Sequence, residues 1–383
     1  MVGFFLSWPA EKITFRPKLW LYMELICHRI SIPLKTPFVT SFGAQDYRTA
    51  MIFEMKHNGI TAFSEAVTDK EPFYSYEDNT TAFHIIEAYL AEQIKDAPTP
   101  EKFIDRVKFV KGHLMAKAAL EMLLWDYHAK EEGIPLYRYI GPTNGKAQVG
   151  ISIGMAGPDE MKKQTSNAVE MGYKRIKVKI KKGREDEIVK NVRSAIGDFP
   201  LSVDANTDFS LEDTEALKVL DKYNLVYMEQ PLDHDDVMDH AELARRINTP
   251  ICLDESIISR DRARKAISSR ACTVINIKPG RVSGFTESLA IAKLAREHGI
   301  HTWVGGMLET GVGRAFNVAL ASSSFIDYPG DTSPNEKYFE KDIVKNPFKM
   351  ENGFITPNEG PGIGVEIDRE RLEKVTIDRV RLL

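Results

Sequence analysis

The feature that most constrains the fold is a regular spacing of short apolar segments along the chain. Lys179, Asp204, Glu229 and Asp254 follow one another at intervals of 25 residues, and Lys278 comes 24 residues after Asp254. A strand, a helix and two short loops need about that length, so the period predicts parallel βαβ units. The seven predicted strands are Val149–Ser152, Arg175–Lys179, Leu201–Asp204, Leu225–Glu229, Ile251–Asp254, Val274–Lys278 and His301–Val304.

The number of repeats favours a TIM-like α/β barrel over an open doubly wound sheet. Phe325–Asp327 is a weaker eighth strand with no clear helix after it, so we predict the barrel over residues 148–331. A doubly wound sheet would carry a glycine-rich fingerprint after its first strand. The segment from Gly154 to Gly157 does not fit that pattern.

The segments on either side of the barrel are predicted to form one α+β capping domain across its mouth. Residues 23–147 contain strand patterns and then helix patterns, and residues 332–383 contain short strand and turn patterns. Residues 1–22 are expected to be a dispensable extension, because Met23 opens the first strand-like segment. A signal peptide is disfavoured, since the start is not basic and Pro9 interrupts its apolar stretch.

Charge and cysteine content restrict the partners and the compartment. The 51 Lys and Arg residues nearly balance the 55 Asp and Glu residues, which gives no reason to expect nucleic acid or an anionic membrane as a partner. No apolar run is long enough to span a membrane. The three cysteines form no C-x-x-C pair and no complete disulfide framework, so a reduced, cytoplasmic protein is expected.

Polar residues occupy the carboxyl ends of the predicted strands, where the active sites of such barrels lie. These residues are Ser152, Lys177, Lys179, Asp204, Asn206, Glu229, Asp254, Lys278, Gly305 and Gly306. The three acids follow adjacent strands and are expected to converge. Converging carboxylates need a cation to stay ionised, and oxygen ligands suit Mg²⁺. The alternative, that the acids only cap the following helices, does not explain their common phase in the repeat.

Two lysine positions are predicted to face each other across the barrel mouth. Lys177 and Lys179 are two residues apart and therefore point to the same face of their strand. Lys179 ends strand two and Lys278 ends strand six, which are diametrically opposite in a barrel of eight strands. Burial and neighbouring cations can lower a lysine pKa to about 7–8, which makes the neutral amine a usable base.

This arrangement predicts removal of the α-proton of a small carboxylate substrate. Mg²⁺ bound to the carboxylate acidifies that proton, because the metal stabilises the resulting enediolate. Two opposed bases allow removal from one face and return on the other, which is a racemisation. One base and a departing β-hydroxyl give an elimination, and both reactions remain open.

Several motifs resemble the muconate-lactonizing subgroup of the enolase superfamily over nearly the whole chain from Met23. These motifs are Lys177-Val-Lys179, Asp204-Ala-Asn206, Met228-Glu-Gln-Pro231, Leu253-Asp-Glu255, Asn276-Ile-Lys-Pro-Gly-Arg281 and Gly360–Asp368. Gly305–Arg314 and Tyr328–Ser333 are similar to the o-succinylbenzoate synthase branch, which dehydrates a precursor in menaquinone biosynthesis and also racemises N-acylamino acids. The (β/α)7β barrel of this family has only seven helices, which agrees with the absence of a clear helix after the predicted eighth strand.

The resemblance implies roles for individual residues and a homo-oligomeric enzyme. Asp204, Glu229 and Asp254 would bind Mg²⁺, or Mn²⁺ as a substitute. Lys179 and Lys278 would be the acid/base pair, with Lys177 assisting. The implied substrate contacts are Ser152, Asn206, Arg281, Gly305, Gly306, Met307, Glu309 and two residues of a lid, Phe38 and Phe42. A surface position is an equal alternative for Arg281.

Other activities are compatible with the same fold. A mandelate racemase would carry a His–Asp pair in place of Lys278, and a dipeptide epimerase would need an Asp-x-Asp that Ile326–Tyr328 does not supply. A muconate cycloisomerase-like activity stays open. A decayed, ligand-binding barrel is disfavoured because none of the three acids and two lysines is lost.

Overall fold

A computed structural model of the chain describes residues 23–40 and 43–383, and it leaves the side chains of residues 38–40, 43 and 44 undescribed. The predicted extension over residues 1–22 and the lid side chains of Phe38 and Phe42 lie outside the described residues. The strands are β1 (Glu24–Thr40), β2 (Gly43–His57), β3 (Ile60–Ala66), β4 (Ala147–Gln148), β5 (Gly150–Ile153), β6 (Arg175–Lys179), β7 (Leu201–Asp204), β8 (Met228–Glu229), β9 (Ile251–Leu253), β10 (Val274–Ile277), β11 (His301–Val304), β12 (Met350–Glu351), β13 (Phe354–Ile355) and β14 (Thr376–Arg381).

Helices follow most strands of the second half of the chain. The α-helices are α1 (Asn79–Ile85), α2 (Pro100–Arg106), α3 (Leu114–Glu131), α4 (Leu136–Tyr139), α5 (Pro158–Glu170), α6 (Glu185–Ile196), α7 (Thr214–Lys218), α8 (Met238–Leu243), α9 (Arg260–Ser269), α10 (Phe285–Glu297), α11 (Gly311–Ala321) and α12 (Arg369–Val375). Along the described ranges, none of them is both long enough and apolar enough to cross a membrane.

Four strands form an antiparallel sheet in the order β14-β1-β2-β3. Asn58 and Gly59 connect β2 to β3 with φ angles of 50° and 80°, which suit the hairpin turn that Asn-Gly favours. Helix α3 packs against β3 and also contacts α10 of the second half of the chain, so most of its residues are buried. We call this sheet, together with α1, α2 and α3, the antiparallel domain.

Seven strands form a parallel sheet in sequential order from β5 to β11. Each strand is followed by a helix, and the side chains of Val178, Val203 and Ile275 are fully buried, as expected for strands covered on both faces. The predicted alternation of parallel strands and helices is confirmed. The antiparallel domain is separate from this sheet in fold, and its α3 and β3 contact α10 and α11, which pack beside the sheet.

The predicted eighth strand is wrong in position. Phe325–Asp327 does not form a strand. Backbone hydrogen bonds instead involve the residues that follow: Asp331 N donates to Val304 O of β11 at 2.9 Å, and Gly150 N of β5 donates to Gly330 O at 2.7 Å. The segment that is hydrogen-bonded to both β11 and β5 therefore lies a few residues later in the chain than the predicted eighth strand.

Candidate active site

The carboxyl ends of β6, β7 and β8 lie side by side. Parallel pairing sets Lys179 opposite Asp204, and Asp204 opposite Glu229. Asp254 directly follows β9, and Lys278 directly follows β10. Because the strand order is sequential, the three strands that carry acids separate the two strands that carry lysines, as the spacing predicted.

Lys177 is buried among three carboxylates. Its Nζ atom is 2.7 Å from Glu229 Oε2, 2.9 Å from Asp331 Oδ2 and 3.3 Å from Asp204 Oδ2. Burial alone would lower the pKa of Lys177, but the negative charges of these carboxylates outweigh burial and raise that pKa well above its ordinary value. Lys177 is therefore a permanent cation that joins the ends of β7 and β8.

Lys179 is bonded to the end of the neighbouring strand. Its Nζ donates to Asp204 Oδ2 at 2.6 Å and also to Asn206 Oδ1. Asn206 N donates to Asp204 Oδ1 at 3.0 Å, which fixes the turn after β7. Burial would raise the pKa of Asp204, but Lys179 and Lys177 lower it far below its ordinary range. Asp204 is therefore ionised.

A second cluster surrounds Lys278. Its Nζ is 2.9 Å from Asp254 Oδ2 and 3.1 Å from the hydroxyl of Tyr74, which comes from the loop between β3 and α1. The Tyr74 hydroxyl donates to Asp254 Oδ1 at 3.2 Å. Arg281 also bonds to Asp254, and its side chain is only 4% exposed. Arg281 is thus buried in this cluster, so the surface alternative is wrong, whereas its predicted contact with substrate stays a prediction.

The pKa of Lys278 differs from the lowered value that the sequence suggested. Burial lowers this pKa, but Tyr74, Glu255 and Glu229 raise it by more, so it lies above its ordinary value. The reason is that the lysine faces acids, whereas the expectation considered neighbouring cations. A metal ion bound to the same acids would offset part of their charge at the lysine.

Glu229 and Glu255 are buried acids, and neighbouring positive charges and hydrogen bonds do not fully offset the cost of their desolvation. Glu229 Oε1 accepts from Asn276 Nδ2 at 2.8 Å, and burial followed by the charge of Asp204 raises its pKa. Glu255 Oε1 accepts from Asn206 Nδ2 at 3.3 Å, but its buried Oε2 has no hydrogen-bond partner among the described residues. Burial also raises the pKa of Glu255. This end of the sheet therefore has capacity for a further positive charge.

The three predicted metal ligands are each bonded to a protein cation. Lys177 bridges Asp204 and Glu229, whereas Asp254 faces Lys278. Within residues 23–40 and 43–383, no three His, Cys, Asp or Glu side chains are close enough together to hold a metal ion in this arrangement. In this arrangement the three acids do not converge on one point, so the metal site stays a prediction.

Residues Gly305–Glu309, which we call the 305–309 loop, begin against the Lys278 side chain. A Cβ atom on Gly305 would lie 2.8 Å from Lys278 Cε, closer than real contacts allow. Met307 N donates to Glu309 Oε1 at 2.8 Å, so the buried Glu309 shapes its own loop. Of the other predicted contacts, Ser152 pairs in register with Lys177 on β6, and Gly306 lies beside the backbone of Asp331.

A cavity of about 320 Å³ opens beside the Lys278 cluster. Tyr74, Glu255 and Arg281 line one side, and Phe73 and Ile258 supply apolar surface. The cavity lies between the antiparallel domain and the ends of the parallel strands, and its size is within the range of small-molecule sites.

The chain matches two family models, which are described as "Enolase C-terminal domain-like" over residues 160–371 and "Mandelate racemase / muconate lactonizing enzyme, N-terminal domain" over residues 23–141. The chain belongs to the enolase superfamily. It is similar to the o-succinylbenzoate synthase of Bacillus subtilis (40% identity, 92% of this chain, 95% of that protein) and to the N-succinylamino acid racemase of Thermus thermophilus (40%, 91% and 95%). An enolase superfamily member from Listeria innocua has a similar structure, with a TM-score of 0.91, 35% identity and coverage of 95% of this chain and 99% of that one.

Within this enolase-superfamily site, four residues were missed by the sequence analysis. Tyr74 contacts Lys278 from the antiparallel domain, and Asp331 contacts Lys177 from the segment beside β11. Asp331, Asn276 and Glu255 all lie within motifs that were noted, although no role was given to them. Their proximity to strand ends was a usable signal, whereas nothing local marked Tyr74.

Proposed function

We propose that this chain is a Mg²⁺-dependent enzyme that abstracts the α-proton of a small carboxylate, as an o-succinylbenzoate synthase, an N-succinylamino acid racemase, or both. The observation that carries the proposal is the placement of Lys179 and Lys278 on either side of three strand ends that carry acids. Relatives with these two names, at about 40% identity over about nine-tenths of the chain, support it.

The chemistry of the residues present suits a divalent cation, although the three acids would have to approach one another to share it. Asp204, Glu229 and Asp254 supply hard carboxylate oxygens at adjacent strand ends, and the unpartnered Oε2 of Glu255 adds negative charge beside them. Burial and the charge of Asp204 raise the pKa of Glu229, which supports a place for a further positive charge beside it. When bound, Mg²⁺ would hold the substrate carboxylate and offset the negative charge that develops when the α-proton leaves.

Proton transfer and the positioning of charge are assigned to protein side chains. Enolase-superfamily sites pair a lysine or histidine base with Mg²⁺, and Lys179 and Lys278 are the candidates here. We assign proton transfer to these two amines. Lys177 is held between Glu229 and Asp331, and we assign to it the role of keeping a positive charge near them. Tyr74 and Arg281 orient Asp254 beside Lys278. The cavity beside Tyr74 has room for the apolar body of a substrate.

We further infer that the parallel sheet closes as a (β/α)7β barrel capped by the antiparallel domain. Gly330 O accepts a hydrogen bond from Gly150 N of β5, and Asp331 N donates one to Val304 O of β11, which supports closure. Pairing of β14 with β1 supports a capping domain built from residues 23–147 and 332–383. Closure would bring the ends of β6 and β10 to opposite sides of one mouth.

Parallel assays separate the two reactions. Purified protein with Mg²⁺ is incubated with the dehydration precursor of o-succinylbenzoate and, separately, with each enantiomer of N-succinyl-phenylalanine. We expect loss of water from the first, loss of optical rotation from the second, or both. Absence of both activities, while the Bacillus subtilis relative turns over its precursor under the same conditions, would refute the proposed function.

A further inference from the structure

A buried carboxylate of the antiparallel domain lies at the beginning of α11. Glu65 of β3 is 0% exposed, and its Oε2 accepts from Thr310 Oγ1 at 2.7 Å, from Thr310 N at 3.0 Å and from Gly313 N at 3.1 Å. The first N–H groups of a helix have no partner within it, so a carboxylate there satisfies them and interacts favourably with the helix dipole. Glu65 therefore joins the two halves of the molecule at this helix.

Two further donors at the same helix end are also satisfied by side chains. Val312 N donates to Oγ1 of the N-cap residue Thr310 at 3.3 Å. Gly311 N donates to Asp342 Oδ1 at 2.9 Å, and Asp342 belongs to the C-terminal part of the chain. Arg48 and Glu309 are the charged groups that act most strongly on Glu65, and burial raises its pKa to about 7. The beginning of α11 is thus held by side chains that lie far before and after it in sequence.

The 305–309 loop leads directly into this helix end. Gly305 N donates to Ile277 O at 3.0 Å, so the sheet holds the first residue of the loop. The rest depends on α11, because Glu309 Oε1 accepts from Asn317 Nδ2 at 2.6 Å. Leu308 has a φ of 57°, a conformation that a non-glycine residue keeps only where its surroundings impose it.

We infer that Glu65 is a positioning residue that sets the conformation of Met307–Glu309 and thereby the fit of the substrate body. The inference rests on the proposed function in taking this loop as part of the substrate pocket. Loss of the Glu65 carboxylate leaves Thr310 N and Gly313 N without their acceptor, and the helix end and loop then lose their common anchor. The sheet still holds Gly305 and Lys278, so substrate binding suffers more than proton transfer.

The test compares Glu65→Ala with Glu65→Gln and with Asp221→Ala. A glutamine keeps one acceptor oxygen and should restore the anchor. Asp221 is a matched control, because its carboxylate likewise accepts from Thr249 N (2.8 Å), Thr249 Oγ1 (2.7 Å) and a second backbone N–H, from Asn248. These donors precede β9, at the end of the sheet opposite the site.

Two readouts are measured for each variant. In Glu65→Ala we expect the KM for N-succinyl-phenylalanine, or for the synthase precursor, to rise at least tenfold with less than a threefold change in kcat. We also expect amide hydrogen exchange of Met307–Gly313 to quicken at least tenfold. Glu65→Gln should return both values to within threefold of wild type, and Asp221→Ala should change neither while lowering the melting temperature.

Hydrogen exchange does not depend on turnover. If the wild-type protein turns over neither substrate, the proposed function fails, while exchange still decides whether Glu65 anchors the loop. Unchanged exchange in Glu65→Ala, or equal changes in Glu65→Ala and Asp221→Ala, would overturn the inference. Faster exchange together with an unchanged KM would overturn the role in substrate fit.

Discussion

Asp331 Oδ2 lies 2.9 Å from Lys177 Nζ, on a segment that the sequence analysis did not identify as a strand. The other oxygen of the same carboxylate accepts from Arg175 Nη2 at 2.7 Å. Arg175 is buried and its guanidinium carbon is 4.8 Å from the ring centre of Trp303. Asp331 therefore balances two buried cations of β6.

Asp331→Asn should be strongly destabilising. The substitution removes one negative charge from two buried cations, and breaking a buried ion pair from one side costs about 3 kcal/mol of the free energy of unfolding. Urea unfolding measures it. Glu92→Gln, which breaks an exposed pair with Lys95, is the control and should cost no more than about 1 kcal/mol. Equal effects of the two substitutions would show that Asp331 does not balance the buried cations.

Isotope exchange should distinguish the roles of Lys179 and Lys278. If each works on one face of the α-carbon, Lys179→Ala and Lys278→Ala both abolish racemisation, yet each keeps one base. In D₂O, each variant should still exchange the α-proton of one enantiomer of N-succinyl-phenylalanine, and the two variants should retain opposite enantiomers. Proton NMR measures the exchange. The two-face interpretation fails if both variants exchange the same enantiomer.

Mg²⁺ should stabilise the folded protein through the strand-end acids. A ligand that binds only the folded state raises the melting temperature, so Mg²⁺ should raise it for wild type and not for Asp204→Asn or Glu229→Gln. Both variants and EDTA-treated wild type should lack turnover. Asp208→Asn is the control, because the Asp208 carboxylate accepts from Lys182 N in an exposed position. Full activity without metal would contradict the proposed role of the acids.

Gly305 should tolerate no side chain. Its Cβ would overlap the side-chain amide of Asn276 and also press against Lys278 Cε, so Gly305→Ala should displace both side chains and lower kcat at least tenfold. Gly157→Ala is the control, since its Cβ meets no atom within 4 Å and its φ of −62° suits alanine. Steady-state kinetics of both variants provides the comparison. A normal kcat in Gly305→Ala would mean that the lysine and loop adjust freely.

The pH dependence of stability should reveal Glu121 of α3. This buried carboxylate accepts from Phe285 N and Thr286 N at the start of α10, and burial raises its pKa from 4.5 to about 7. Between these pH values the folded state keeps a proton on Glu121 that the unfolded chain has lost. The contribution of Glu121 to the free energy of unfolding therefore falls as pH rises, and it is constant above about pH 7. The free energy of unfolding of Glu121→Gln, taken relative to that of wild type, should therefore increase by up to about 3 kcal/mol as pH rises through that window. Urea unfolding at several pH values measures the difference, and a difference that stays flat would contradict the raised pKa.

The strands and the polar residues at their carboxyl ends were predictable because the repeat is both regular and chemically distinct. β6, β7 and β11 have the predicted bounds, and their ends carry the expected lysine, aspartate and glycine. The parallel order then places Lys179 and Lys278 without further information. A buried parallel strand is a short apolar run, and a polar residue at its end is a strong local mark.

The errors have equally local causes. The segment beside β11 contains Pro329 and Gly330, which weaken a strand pattern, so the more apolar Phe325–Asp327 was chosen instead. Tyr74 lies in an irregular loop, and only tertiary folding brings it to Lys278. The raised pKa of Lys278 was missed because it depends on which acids face the lysine, and periodicity does not fix that.

The pairing of β1 with β14 has a consequence for synthesis of the chain. β14 leaves the ribosome after every strand of the parallel sheet, so the β1 edge stays unpaired while the parallel sheet is already complete. An open edge of that kind recruits other strands. Nascent chains that stall before Thr376 would therefore expose this edge to other strands, and a chaperone that shields β1 during translation should reduce their aggregation.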